Sequence, residues 1–139
     1  MVSQPYSPSD EWRRALSVAE TVKQTADGLD LEPRHAWLRQ VMNEAAGQMR
    51  NAVLWAASQG SPAGMNREAL RPLIIAADAA RSDASLASYF LSFLTHENLI
   101  AGVTADDVAS QLQDVELRMD ALSRHLRHEL GFEPYEPSP

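Results

Sequence analysis

The strongest constraint in this sequence is a run of apolar residues near its C-terminal end. Val108, Leu112, Val115, Met119, Leu122 and Leu126 follow one another at alternating spacings of four and three. That is an a/d seam sustained over almost three heptads, the pattern of a helix that must lay one stripe against other helices. The flanking residues agree with it. Asp114 and Arg118, and Asp120 and Arg124, are acid-before-base pairs at i,i+4. Arg124, His125, Arg127 and His128 crowd the last two turns, where positive charge answers the helix dipole, and Gly131 follows as a stop. At the other end Thr104 and Asp107 make a capping-box-like start, with Val103 and Val108 spaced as a hydrophobic staple.

The rest of the chain reads as further helices parted by short breakers. Ser7 is spaced as an N-cap, with Pro8 at the first helical position and Asp10 and Glu11 in the first turn, which predicts a helix over 8–27 stopped by Gly28. Its apolar stripe is Trp12, Leu16, Ala19 and Val22. A second helix is expected from about Pro33 to Ser58. Leu38, Val41, Met42, Ala45, Met49, Ala52, Val53 and Ala56 form one face of it, flanked by Trp37 and Trp55. After the Gln59–Gly64 connector, Asn66 reads as an N-cap, with Met65 and Leu70 as its staple. Pro72 must then kink the helix or restart it, and Ser82 is spaced as a further cap. The sequence leaves 67–96 open between one bent helix and two, with Leu70, Leu73, Ile74 and Ala77, then Leu86, Phe90, Phe93 and Leu94, on the apolar side.

The expectation is therefore all-α: one antiparallel bundle of four to five helices over residues 9–130, between proline-punctuated flexible tails at 1–8 and 131–139. A length of 139 residues fits one domain with its own core. No apolar run approaches the ~18 residues of a membrane span, and the first residues show no basic region followed by an apolar stretch, so a cytoplasmic protein is expected. The alanine- and arginine-rich, lysine-poor composition, in which Lys23 is the sole lysine, suits a bacterium of high GC content or its phage.

Chemistry is narrowed by what the residues cannot do. With no cysteine there is no disulfide, thiolate metal site or thiol nucleophile. A net charge of −7 makes nucleic acid an improbable partner for the chain on its own, since phosphate backbones are held by basic stripes. No phosphate-binding glycine loop, nucleophile elbow or dinucleotide fingerprint is present. A di-iron bundle needs two Glu-x-x-His pairs on interior faces. The spacing occurs once, at Glu32 and His35, and there it straddles Pro33. His125, His128 and Glu129 share a helical face, but the helix dipole accounts for histidines there, and neither a metal nor another cofactor is expected.

Two site readings stand beside a binding role. Arg118 followed by His125, with six residues between, resembles the arginine–histidine arrangement on the last helix of the HEPN superfamily. That resemblance implies an RNA-cleaving phosphodiesterase in which Arg118 steadies a phosphorane and His125, with His128 beside it, moves the proton. It covers one heptad, and Met119 stands where the family usually has a polar residue. The tyrosine that often follows the histidine is also missing. The second reading is a small-molecule pocket lined by Trp37, Trp55, Tyr89, Phe90 and Phe93.

The favoured reading is a non-enzymatic protein that works by protein–protein binding, as an assembly subunit, an adaptor or the neutralising partner of a basic protein. Its seam, Val108 to Leu126, can close against the second helix or pair with its own copy in a homodimer. Residues 104–139 hold eight acids against three arginines, −5 of the −7, which favours a partner with a basic surface.

Overall fold

The computed structural model describes residues 7–129 and 131. The tails expected at 1–8 and 131–139 lie outside the described residues except for Ser7, Pro8 and Gly131. Among these residues four α-helices form: α1 Pro8–Asp27, α2 Ala36–Ser58, α3 Arg67–His96 and α4 Gly102–Glu129. No strand occurs among the described residues. None of the helices is long and apolar enough to cross a membrane.

α1 begins as expected, with Pro8 where its absent donor costs nothing. Ser7 caps through its backbone, its carbonyl accepting from the amides of Asp10 and Glu11, while its side chain makes no capping bond. Gly28 ends the helix in a right-handed conformation, so the stop does not rest on glycine's left-handed freedom. Arg39 supplies what the helix end needs: its guanidinium donates to the carbonyls of Ala26, at 3.2 Å, and Leu29. The helix expected from Pro33 divides into a single 3-10 turn, Pro33–His35, and α2 proper.

α3 is one helix of 30 residues, which makes the bundle four-membered. Asn66 caps it, its side-chain oxygen accepting from the Ala69 amide at 2.9 Å, with Leu70 buried and Met65 packed on the core. Pro72 is carried inside the helix, and Ser82 sits exposed in mid-helix rather than capping a second one. Apolar anchoring on both sides of the proline, by Leu70, Leu73, Ile74 and Ala77, holds the helix together through the lost amide donor. Its C-terminal end is a Schellman turn. Asn98 takes the left-handed conformation at φ 58°, the Leu99 amide donates back to Leu94 at 2.8 Å, and the Asn98 amide donates to Thr95 at 3.1 Å.

α4 starts two residues before the expected cap. Ala101 accepts from the Ala105 amide at 2.9 Å, so Thr104 already lies inside the helix, and Val103 is 86% exposed rather than stapled.

Each helix packs on its chain neighbours, and α4 closes the ring onto α1. Polar pairs show the up-down-up-down order. Asp27 accepts from Asn43 and Glu20 pairs with Arg50, which runs α1 against α2. Ser85 bonds Glu116 and Asp78 pairs with Arg127, which runs α3 against α4. Glu11 with Arg118 and Arg14 with Asp114 do the same for α1 and α4. Inside, small and large residues alternate. Ala77, Ala80, Ala84 and Ala87 give α3 an alanine stripe, and Leu38, Met42, Met49, Leu73, Leu112 and Met119 fill the layers between.

Candidate interaction surface

The seam is consumed by the fold. Val108, Leu112, Val115, Met119, Leu122 and Leu126 are all buried within one chain, on a helix that packs chiefly on α3 and α1. No partner reaches these six side chains while the bundle is closed. The acids that follow on α4 are largely engaged as well. Asp114 meets Arg14 and Arg118, Asp120 meets Arg81 and Arg124, and Glu116 accepts from Ser85.

The arginine–histidine pair is separated by function as well as by distance. Arg118 donates from Nε to Asp114 at 2.9 Å and from Nη1 to Glu11 at 3.2 Å, and hydrogen bonding to Asp114 pushes its guanidinium further above its usual range. Two carboxylates thus occupy the groups that would have to grip a phosphate. His125 is seven residues further on, a rise of about 10 Å, and pairs with Glu129 at 4.0 Å. It borders a shallow cleft of about 130 Å³ lined by Pro8, Ser61, Pro62, Ala63, His125 and Glu129, with no arginine among them. That volume is below the ~300 Å³ at which small-molecule sites begin. His128 is exposed at the helix end. Among the described residues, no three of His, Cys, Asp and Glu come together as a metal site; Glu32 precedes the 3-10 turn and His35 ends it, and no residue of that turn is buried.

The expected aromatic pocket opens into a surface. Trp37 stands edge-on to Phe93, ring centroids 5.8 Å apart, and to Phe90 at 6.2 Å, with Tyr89 against Phe90 at 5.4 Å. Trp55 is not in this cluster. It lies 18 residues from Trp37, five whole helical turns and about 27 Å along the same side of α2. The tryptophan that does enter the core is Trp12. Trp37 and Trp55 are 45% and 44% exposed, so they stand on the outside of the α2–α3 pair.

α3 mirrors this arrangement. Ile75, 68% exposed, lies 18 residues and five turns before Phe93, on the same stripe, with Leu86 and the 67%-exposed Tyr89 between them. The outer face shared by α2 and α3 is thus an apolar ridge, with one pole at the Trp37–Phe93 contact and another, five turns along each helix, at the exposed Trp55 and Ile75. It is also poor in charge. α2 carries Arg39, Glu44 and Arg50 alone, and both arginines turn to α1, onto Ala26 and Glu20. From Ser82 to Thr95, α3 holds one charged residue, Asp83. Asp83 lies one heptad before Phe90, on the flank that faces α2, half-buried, and burial raises its carboxyl to about 6.

The helical spacing of the aromatics, with Leu86, predicts an interior position for them, and Ile75 falls outside that pattern. The available signal was the pair Ile74-Ile75, since adjacent helical residues point about 100° apart and a buried Ile74 leaves Ile75 facing outward.

The fold and this face define the class: an up-and-down four-helix bundle, acidic overall, with an exposed aromatic ridge on one side. Comparison of the chain with models of protein families, with curated proteins and with solved structures returns no match.

Proposed function

We propose that this bundle acts by protein–protein binding, as an assembly subunit or adaptor that docks through the outer face of α2 and α3. The observation that carries the reading is the exposure of Trp37, Trp55, Ile75, Leu86 and Tyr89 on one side of the molecule, along which α3 holds a single charged residue from Ser82 to Thr95. Interface centres are enriched in aromatic residues and depleted of charge, and large apolar patches on single-domain surfaces mark contact sites. The engagement of the α4 acids with arginines of the same chain moves the expected contact away from a basic partner and from the last helix. The ion-paired state of Arg118 favours binding over phosphodiester chemistry in the same way.

The test is native mass spectrometry of the protein isolated untagged from its host, as wild type and with Tyr89→Arg or Leu86→Arg. Both side chains are exposed, so the variants are expected to fold. A stoichiometric complex that disappears in these two variants, but survives Leu117→Arg on exposed α4 and His125→Ala with His128→Ala, is the expected result. A complex lost with Leu117→Arg and kept with the other two overturns the assignment to α2–α3. A bare chain with a bound metabolite or metal overturns the binding role itself.

A further inference from the structure

We propose that the occupant of the α2–α3 face is a second copy of this chain, laid antiparallel about a two-fold axis that crosses the middle of the ridge. This deepens the binding role proposed above and rests on it.

The geometry of the ridge carries the inference. Its α2 pole residues, Trp37 and Trp55, centre on position 46, and its α3 pole residues, Ile75 and Phe93, centre on position 84. Trp37 touches Phe93 and Phe90, and the helices are antiparallel, so positions 46 and 84 lie within about one turn of the same height in the bundle. One axis through that height therefore serves both helices. A closed two-fold contact demands such self-complementarity, because each residue must meet what the operator brings opposite it.

Rotation about an axis at this height, lying in the plane of the face, sets Trp37 of one copy over Trp55 of the other and Ile75 over Phe93. Glu44 falls opposite Gln48 and, two residues from the axis, comes within about 6 Å along the helix of its own copy, a like-charge approach that the apolar poles on either side must outweigh.

The area suffices. At roughly 150–250 Å² per aromatic side chain, the exposed parts of Trp37, Trp55 and Tyr89, with Ile75 and Leu86, leave on the order of 500 Å² of apolar surface per chain. Two such faces remove about 1,000 Å² before any polar rim is counted, which reaches the ~1,000 Å² that a specific interface needs.

Sedimentation velocity of the purified protein from about 1 to about 100 µM measures the association directly. The expected result is a species of twice 15.3 kDa that Tyr89→Arg and Leu86→Arg each convert to monomer with unchanged helical circular dichroism. The chain has no cysteine, so single cysteines report the register. Gln48→Cys, close to the axis, should crosslink to its own copy with a short bismaleimide, whereas Gln40→Cys, about 18 Å from its mate along the helix, should not. Crosslinking through Gln40→Cys alone overturns the antiparallel register, and a dimer that survives both arginine substitutions overturns the face. A wild-type protein that is monomeric throughout overturns the second copy as occupant. In that event, a host complex that Tyr89→Arg abolishes still leaves the broader binding role standing, and its absence removes both.

Discussion

Nη1 of Arg118 on α4 donates to Oε1 of Glu11 on α1 at 3.2 Å, while Nε of the same guanidinium holds Asp114 at 2.9 Å. The pair spans the closure of the bundle, where α4 meets the first helix, and Glu11 is only 12% exposed. Removing the cation leaves that carboxylate nearly buried without its partner, a worse outcome than removing the carboxylate and leaving Arg118 with Asp114. Arg118→Met is therefore expected to cost about 2 kcal/mol in urea unfolding and Glu11→Gln about 1 kcal/mol. A double-mutant cycle should return a coupling near 1 kcal/mol. Equal costs for the two single substitutions would show that the pair is not shielded from solvent.

The seam makes a sharper prediction because its neighbours on the same helix provide the control. Leu112 is fully buried, and Leu117, five residues on, is 65% exposed. Leu112→Ala should cost about 3 kcal/mol through lost contacts and the cavity left behind, and Leu112→Asp should abolish the cooperative transition. Leu117→Asp should change stability by less than about 0.5 kcal/mol. Urea titrations of the three variants are the measurement, and a stably folded Leu112→Asp protein would mean that α4 does not seat its seam in the core.

How much of this was legible in the sequence follows from which signals are local. The Val108–Leu126 spacing is a property of one helix, and any bundle that forms must bury it, so element and core residues could be read together. The start of α4 could not, because the Ala101 carbonyl and the open surroundings of Val103 decide it, and both depend on how the preceding loop runs. Pro72 left 67–96 ambiguous for the same reason: the flanking leucines must find α4 and α2 before their burial can outweigh one missing hydrogen bond. The aromatic ridge was misplaced because Trp37 and Phe93 have the helical spacing that core residues also have. Which face looks outward is set by where four helices meet, not by the periodicity of any one of them.

Asn98 offers a test of the turn that ends α3. It is the sole non-glycine among the described residues with a left-handed φ, at 58°, and asparagine bears that conformation better than other side chains, though less well than glycine. Asn98→Gly should raise stability by a few tenths of a kcal/mol up to about 1 kcal/mol, and Asn98→Ala should lower it by about 1 kcal/mol. Thermal midpoints of the two variants would settle the matter. An alanine variant as stable as wild type would show that the Schellman turn contributes nothing to holding the α3–α4 connection.

Asp83 gives the chain a predictable response to pH. Burial raises its carboxyl from 3.8 to about 6, so the folded protein holds this proton more tightly than the unfolded chain does. The sign follows from linkage. Well below pH 3.8 both states are protonated and the site carries no penalty. Between 3.8 and about 6 the unfolded chain ionises while the folded protein holds the proton, so stability falls, reaching its lower plateau once pH has passed through 6. A shift of two units would amount to about 3 kcal/mol for a fully shielded group, and solvent at this half-exposed site reduces it to about 1 kcal/mol. Asp83→Asn should therefore unfold at higher urea than wild type at pH 7.5 and at the same urea near pH 3.5. The difference between the two curves isolates this residue from the other carboxylates that titrate over the same range. An advantage that persisted unchanged at low pH would trace to packing rather than charge, and no advantage at pH 7.5 would mean that the carboxylate is already well solvated between the two helices.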